Sequence, residues 1–119
     1  MAAPNLKSPT TINGKTARYA VTASLAAALS NASSSGKVLK INSIFCANVD
    51  GTNAADISIT IYDGVTDRYI AKEISVPIKA TQILCGKDTY FYLEEGDSIR
   101  AIASSASDLE LVIGYEDIS

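Results

Sequence analysis

Few residues in this chain are of types and spacing that could do chemistry. Cys46 and Cys85 are its two cysteines, and it contains no histidine and no tryptophan. A thiol nucleophile needs an activating base, and a zinc site needs about four Cys or His ligands at close spacing. Neither set of partners is evident. The cysteines therefore read as small, largely buried apolar residues, with a disulfide as the alternative. Glu94-Glu95-Gly96-Asp97 is the densest carboxylate run, and Asp50, Asn53 and Asp56 form a looser oxygen cluster. Hard oxygen ligands suit Ca²⁺, but the long alternating ligand set of an EF-type loop is missing. Both clusters read as solvated turns. The serines gather in stretches such as Ser33-Ser34-Ser35 and Ser104-Ser105, and no G-x-S-x-G elbow occurs. No catalytic residue, metal site or cofactor is assigned, and the chain is expected not to be an enzyme.

The aromatic residues point to contact instead. There are six tyrosines against two phenylalanines. Tyr90 and Tyr92 alternate with Phe91, so they face away from a core that Phe91 enters. Exposed tyrosines on a sheet often mark contact surfaces, the alternative being amphipathic side chains at a sheet border.

The elements that position these residues are strands. Lys37 to Asp63 reads KVLKINSIFCANVDGTNAADISITIYD. Leu39, Ile41, Phe45, Ala47 and Val49 share one face at period two, interrupted only by Ser43, and Ile57, Ile59 and Ile61 alternate with polar residues. Asp50-Gly51-Thr52-Asn53 between them is turn chemistry. The expectation is a long hairpin, with the other strands packed around it. Lys15–Thr22 is the first strand. Ala23–Ser35 is expected to hold a second strand, with a short helix as the alternative. Arg68–Val76 should place Ile70, Ile74 and Val76 on one face, with Lys72 as an intruder. Thr81–Cys85, Tyr90–Leu93, Ser98–Ala103 and Asp108–Ile118 complete the set, the last with Leu109, Leu111, Ile113 and Tyr115 on one face.

About eight short strands with frequent turns imply an all-β fold, an antiparallel two-sheet β-sandwich that is jelly-roll-like. The sandwich covers residues 15–119. Residues 1–14 form an extended N-terminal arm, because Pro4 and Pro9 exclude a helix and favour extended backbone. Leu6 and Ile12 in that arm are apolar side chains suited to a neighbouring subunit.

Composition sets the remaining bounds. The chain has 119 residues, 47% hydrophobic and 19% charged, which is the composition of one ordered domain. Its net charge of −3 and the absence of any basic run argue against a nucleic-acid partner. It has no apolar run long enough for a membrane span and no N-terminal signal pattern, so folding in a reducing cytosol is expected.

Three pieces carry a resemblance: Pro4 to Ile12 (PNLKSPTTI), the stretch KINSIFCANVDGTNAAD, and the ending YLEEGDSIRAIASSASDLELVIGYEDIS. Together they resemble small virion structural proteins of tailed bacteriophages, particularly the marine and cyanobacterial type. The resemblance implies a non-enzymatic virion component assembled in the host cytoplasm, most plainly a capsid decoration (cement) protein. A tail-, neck- or fibre-associated module, able to bind host-surface carbohydrate, is the alternative. Implied partners are capsid or tail subunits and further copies of the same chain, a trimer being the expected number. Pro4, Leu6, Pro9 and Ile12 of the arm, with Tyr90 and Tyr92, are the expected partner-binding residues.

Overall fold

Strands account for every long element in the computed structural model, which describes residues 4–119. They are β1 (Ile12–Ala20), β2 (Ala26–Ser30), β3 (Val38–Asn48), β4 (Ala55–Tyr62) and β5 (Asp67–Val76). After these come β6 (Thr81–Cys85), a 3₁₀ turn at Lys87–Thr89, β7 (Phe91–Leu93), β8 (Ser98–Ala103) and β9 (Leu109–Ile118). Ala23–Ser35 contains a strand, as expected, and no helical turn. No helix among the described residues is long and apolar enough to cross a membrane.

The strands form two antiparallel sheets. The first runs β1-β9-β3-β6, with β7 also paired to β3; the second runs β2-β8-β4-β5. This is the expected all-β sandwich of two antiparallel sheets. The inner faces meet in one core, where Ile41, Ile44, Leu109, Leu111 and Ile113 of the first sheet lie in the same cluster as Ile57, Ile59 and Ile99 of the second. Each is at most 1% exposed, and each such side chain contributes about 1.5–3 kcal/mol by leaving water.

The expected hairpin does not form. β3 belongs to the first sheet and β4 to the second, so the chain crosses the sandwich at Val49–Ala54. Sheets packed face to face lie about 10 Å apart, a gap that a loop of this length spans easily. Alternation specifies which face of a strand is buried; it does not specify whether its neighbour lies beside it or across the core. Asn48, 3% exposed, fastens this corner: its amide donates to the carbonyls of Asn53 and Val76 at 3.1 and 2.9 Å.

Two further expectations change. Strand structure begins at Ile12, so Ile12, Asn13 and Gly14 pair with Ile118, Asp117 and Glu116 instead of lying in the arm. In β5, Val76 is buried but Ile74 is exposed and Ile70 only half-buried. The β4–β5 register shifts between Ile57 and Ile59 and again between Ile59 and Thr60, and Glu73 takes a left-handed φ of 51°. Each extra residue on β5 reverses its facing pattern. Met1 to Ala3, part of the expected arm, lie outside the described residues.

Candidate protein-contact surfaces

The outer face of the first sheet is shaped by a bulge in β3. Ile41 lies opposite Tyr115 and Ser43 opposite Gly114, which leaves Asn42 unopposed. The Asn42 amide donates to the Glu116 carboxylate at 2.9 Å and holds the inserted residue in place. Gly114 suits this point, since a Cβ there would lie 2.8 Å from the Ser43 hydroxyl and force it to shift. The extra residue exchanges the two faces of the strand. Leu39 and Ile41 point inward before it, whereas Ile44, Cys46 and Asn48 are the buried residues after it. Phe45 and Val49, expected in the core, are 37% and 54% exposed.

This reversal builds an apolar row. Phe45 lies opposite Val112 of β9 on one side and Ile83 of β6 on the other. Val112 is 40% exposed and Ile83 60%. Three large apolar side chains thus run across three adjacent strands on the solvent face. Arg18 of β1, opposite Val112, ends the row. A contiguous exposed apolar strip rimmed by polar residues is the form that contact surfaces take. Unbroken alternation buries Phe45, so this site was missed in the sequence. The one signal for it was Ser43, the polar interruption on the supposed core face.

The tyrosine pair lies at the opposite end of β3. Phe91 is half-buried against the core, as expected. Tyr90 is 48% exposed and Tyr92 half-buried. Their rings meet edge to face with centroids 5.9 Å apart, and the Lys40 ammonium sits 4.4 Å from the Tyr90 ring centre. Lys40 is opposite both Tyr92 and Glu116, so aromatic and charged groups alternate along this row.

The arm residues are not beside the tyrosines. Asn5–Ser8 makes a turn closed by the Ser8 N–H on the Asn5 carbonyl at 3.0 Å. The N–H groups of Thr10 and Thr11 both donate to the Ser119 carbonyl, at 2.6 and 2.9 Å. Pro4 and Pro9 are half-buried, while Leu6 and Ile12 are 48% and 54% exposed. Ile12 stands on the β1 border of the first sheet and Tyr92 on the β7 border, with β9 and β3 between them. They are two patches, not one site.

Among the described residues no group of cysteine and carboxylate side chains is placed to hold a metal ion. Cys46 and Cys85 are buried and unbridged, and burial pushes the Cys46 thiol up to about 11, so it is protonated at neutral pH. In the acidic turn, Asp97 accepts from the Glu94 N–H at 3.2 Å and Glu95 from the Gly36 N–H at 3.1 Å. Asp117, 5% exposed, accepts from Lys15 at 3.0 Å and Lys37 at 3.2 Å. Burial works against its charge, but the hydrogen bonds and positive charges of the two lysines outweigh it and hold the carboxyl below its usual range. A shallow cleft of about 260 Å³ lies beside Arg18, Tyr19 and Val112, smaller than the roughly 300–1,000 Å³ of typical small-molecule pockets.

Among solved structures, the chain is similar to a protein of the Bacillus endospore appendages, a family of disulfide-linked pili. The TM-score is 0.55 at 13% identity, covering 100% of this chain and 96% of that one. This likeness concerns the fold. A pentameric capsid protein isolated from metagenomic phage sequences gives a TM-score of 0.41 at 17% identity, over 85% of this chain and 59% of its own length. A second structure of such a protein, solved by iodide phasing, gives the same score and identity over 60% of its length. No family model matches the chain, and no curated protein matches it.

Proposed function

We propose that this chain is a non-enzymatic structural subunit of a tailed-phage virion, a capsid decoration protein that binds the shell. The observation that carries the contact role is the Val112–Phe45–Ile83 row, apolar surface held in register across three strands and turned to solvent. A bulge fixed by Asn42, Glu116 and Gly114 builds this row at the expense of core area. The virion assignment is supported by the three sequence pieces that resemble small phage structural proteins. In this reading the protein is assembled in the host cytoplasm, and capsid subunits are its partners. The outer face of the first sheet makes the main contact. The arm residues Pro4, Leu6, Pro9 and Ile12 add a second, and Tyr90 and Tyr92 border the footprint.

The exposed Tyr90 beside Lys40 and Tyr92 favours one other reading, a tail- or fibre-associated module that holds carbohydrate against an aromatic ring. Immunogold electron microscopy of virions from the encoding phage separates the two. Label over the head supports decoration, and label over the tail supports the alternative. Virions that carry no label at either place overturn both. Deleting residues 2–9 should leave the strand signature in circular dichroism intact and reduce incorporation; full occupancy would remove the arm from the contact.

A further inference from the structure

The two sheets end in four borders, and three of them are broken. β2 has five residues and a register shift between Ala27 and Leu29. β5 carries two register shifts and the left-handed Glu73. The far border of the first sheet is divided between five-residue β6 and three-residue β7, with the 3₁₀ turn between them. Short length, bulges and interruptions are how proteins keep sheet edges from pairing with other chains. β1 has none of these. It runs for nine residues, is paired with β9 in unbroken register, contains no proline and is largely exposed. Among the described residues its second edge has no strand partner.

We propose that β1 pairs antiparallel with β1 of a second copy, about a two-fold axis through Thr16, so that the first sheet continues across the dimer. The intact edge of one copy finds the only other unbroken edge on the same strand of its mate, which makes the contact isologous. Full overlap of Ile12–Ala20 puts Thr16 opposite Thr16. It also places Lys15 opposite Ala17, Gly14 opposite Arg18, Asn13 opposite Tyr19 and Ile12 opposite Ala20. Every pair joins residues of the same strand face, so the core sides of both copies stay on one side of the sheet. No like charges oppose each other except by displacement of the register.

Charge complementarity favours this register. Gly14 has open space where a side chain would stand. Arg18 of one copy can therefore extend over the second copy's Gly14 towards Glu116, the residue next in the same row of that copy. The symmetry repeats this contact twice. The dimer does not rest on the virion reading, and its tests use the isolated protein.

Light scattering at high micromolar concentration should return twice the chain mass of 12.5 kDa. Thr16→Lys sets two ammonium groups face to face on the axis and should return the single-chain mass, with an unchanged strand signature in circular dichroism. Thr16→Cys should form a disulfide-linked dimer on oxidation, which the buried Cys46 and Cys85 of the natural chain do not. Arg18→Glu should loosen the dimer. A single-chain mass for the natural protein, the mass of three chains, or a Thr16→Cys variant that never cross-links would each overturn the proposal. The cross-link decides the matter if Thr16→Lys fails to fold.

Discussion

β3 and β4 look alike in sequence and behave differently in the fold. Both alternate apolar and polar residues, and both supply fully buried isoleucines. In β4 the pattern can be read directly: Ile57 and Ile59 enter the core, and the polar side chains on the other face are bonded, Thr60 to Asp67 at 2.7 Å and Ser58 to the Glu73 N–H at 2.9 Å. In β3 the same period continues through Phe45, Ala47 and Val49, but one inserted residue at Asn42 turns these outward. Alternation fixes facing only between bulges. A strand can carry a perfect apolar stripe and still present half of it to solvent. Here that half is the candidate contact surface.

The largest effects should come from the buried isoleucines on either side of this comparison. Ile59→Ala in β4 and Ile44→Ala in β3 should each cost roughly 2–5 kcal/mol, as core truncations do, measured by chemical denaturation of the isolated protein. The Ile44 result is the sharper one. Unbroken alternation puts Ile44 on the solvent side, so a cost below about 0.5 kcal/mol would contradict the bulge.

Gly114→Ala should have an intermediate effect. The new Cβ meets the Ser43 hydroxyl at 2.8 Å, and overpacking of this kind typically costs about 1–3 kcal/mol. Ser43→Ala in the same chain should recover most of the loss. A neutral single substitution would mean that Ser43 and Gly114 do not face each other as described.

The fold class was legible because most of its strands announce themselves through period two and turn residues. β6, β8 and β9 lie where the pattern placed them, to within a residue. Sheet membership was not legible. Whether Val49–Ala54 closes a hairpin or crosses the sandwich depends on β3 pairing with β9 and β4 with β8, long-range pairings that no local pattern records. Facing was legible in β4 and β9 and failed in β3 and β5, where bulges reset the phase. Of the expected contact residues, Tyr90, Leu6 and Ile12 are exposed. The Val112–Phe45–Ile83 row escaped notice because unbroken alternation buries Phe45, and only the strand register brings Val112 and Ile83 to its two sides.

Phe45→Thr should have the smallest effect on stability and the largest on assembly. Threonine keeps the strand preference of the site while removing the exposed ring. The stability change should stay below about 1 kcal/mol, and, on the proposed virion role, the variant should not be incorporated when it replaces the natural protein. A loss of stability as large as that of Ile44→Ala, or incorporation at the natural occupancy, would contradict the proposed contact role of Phe45.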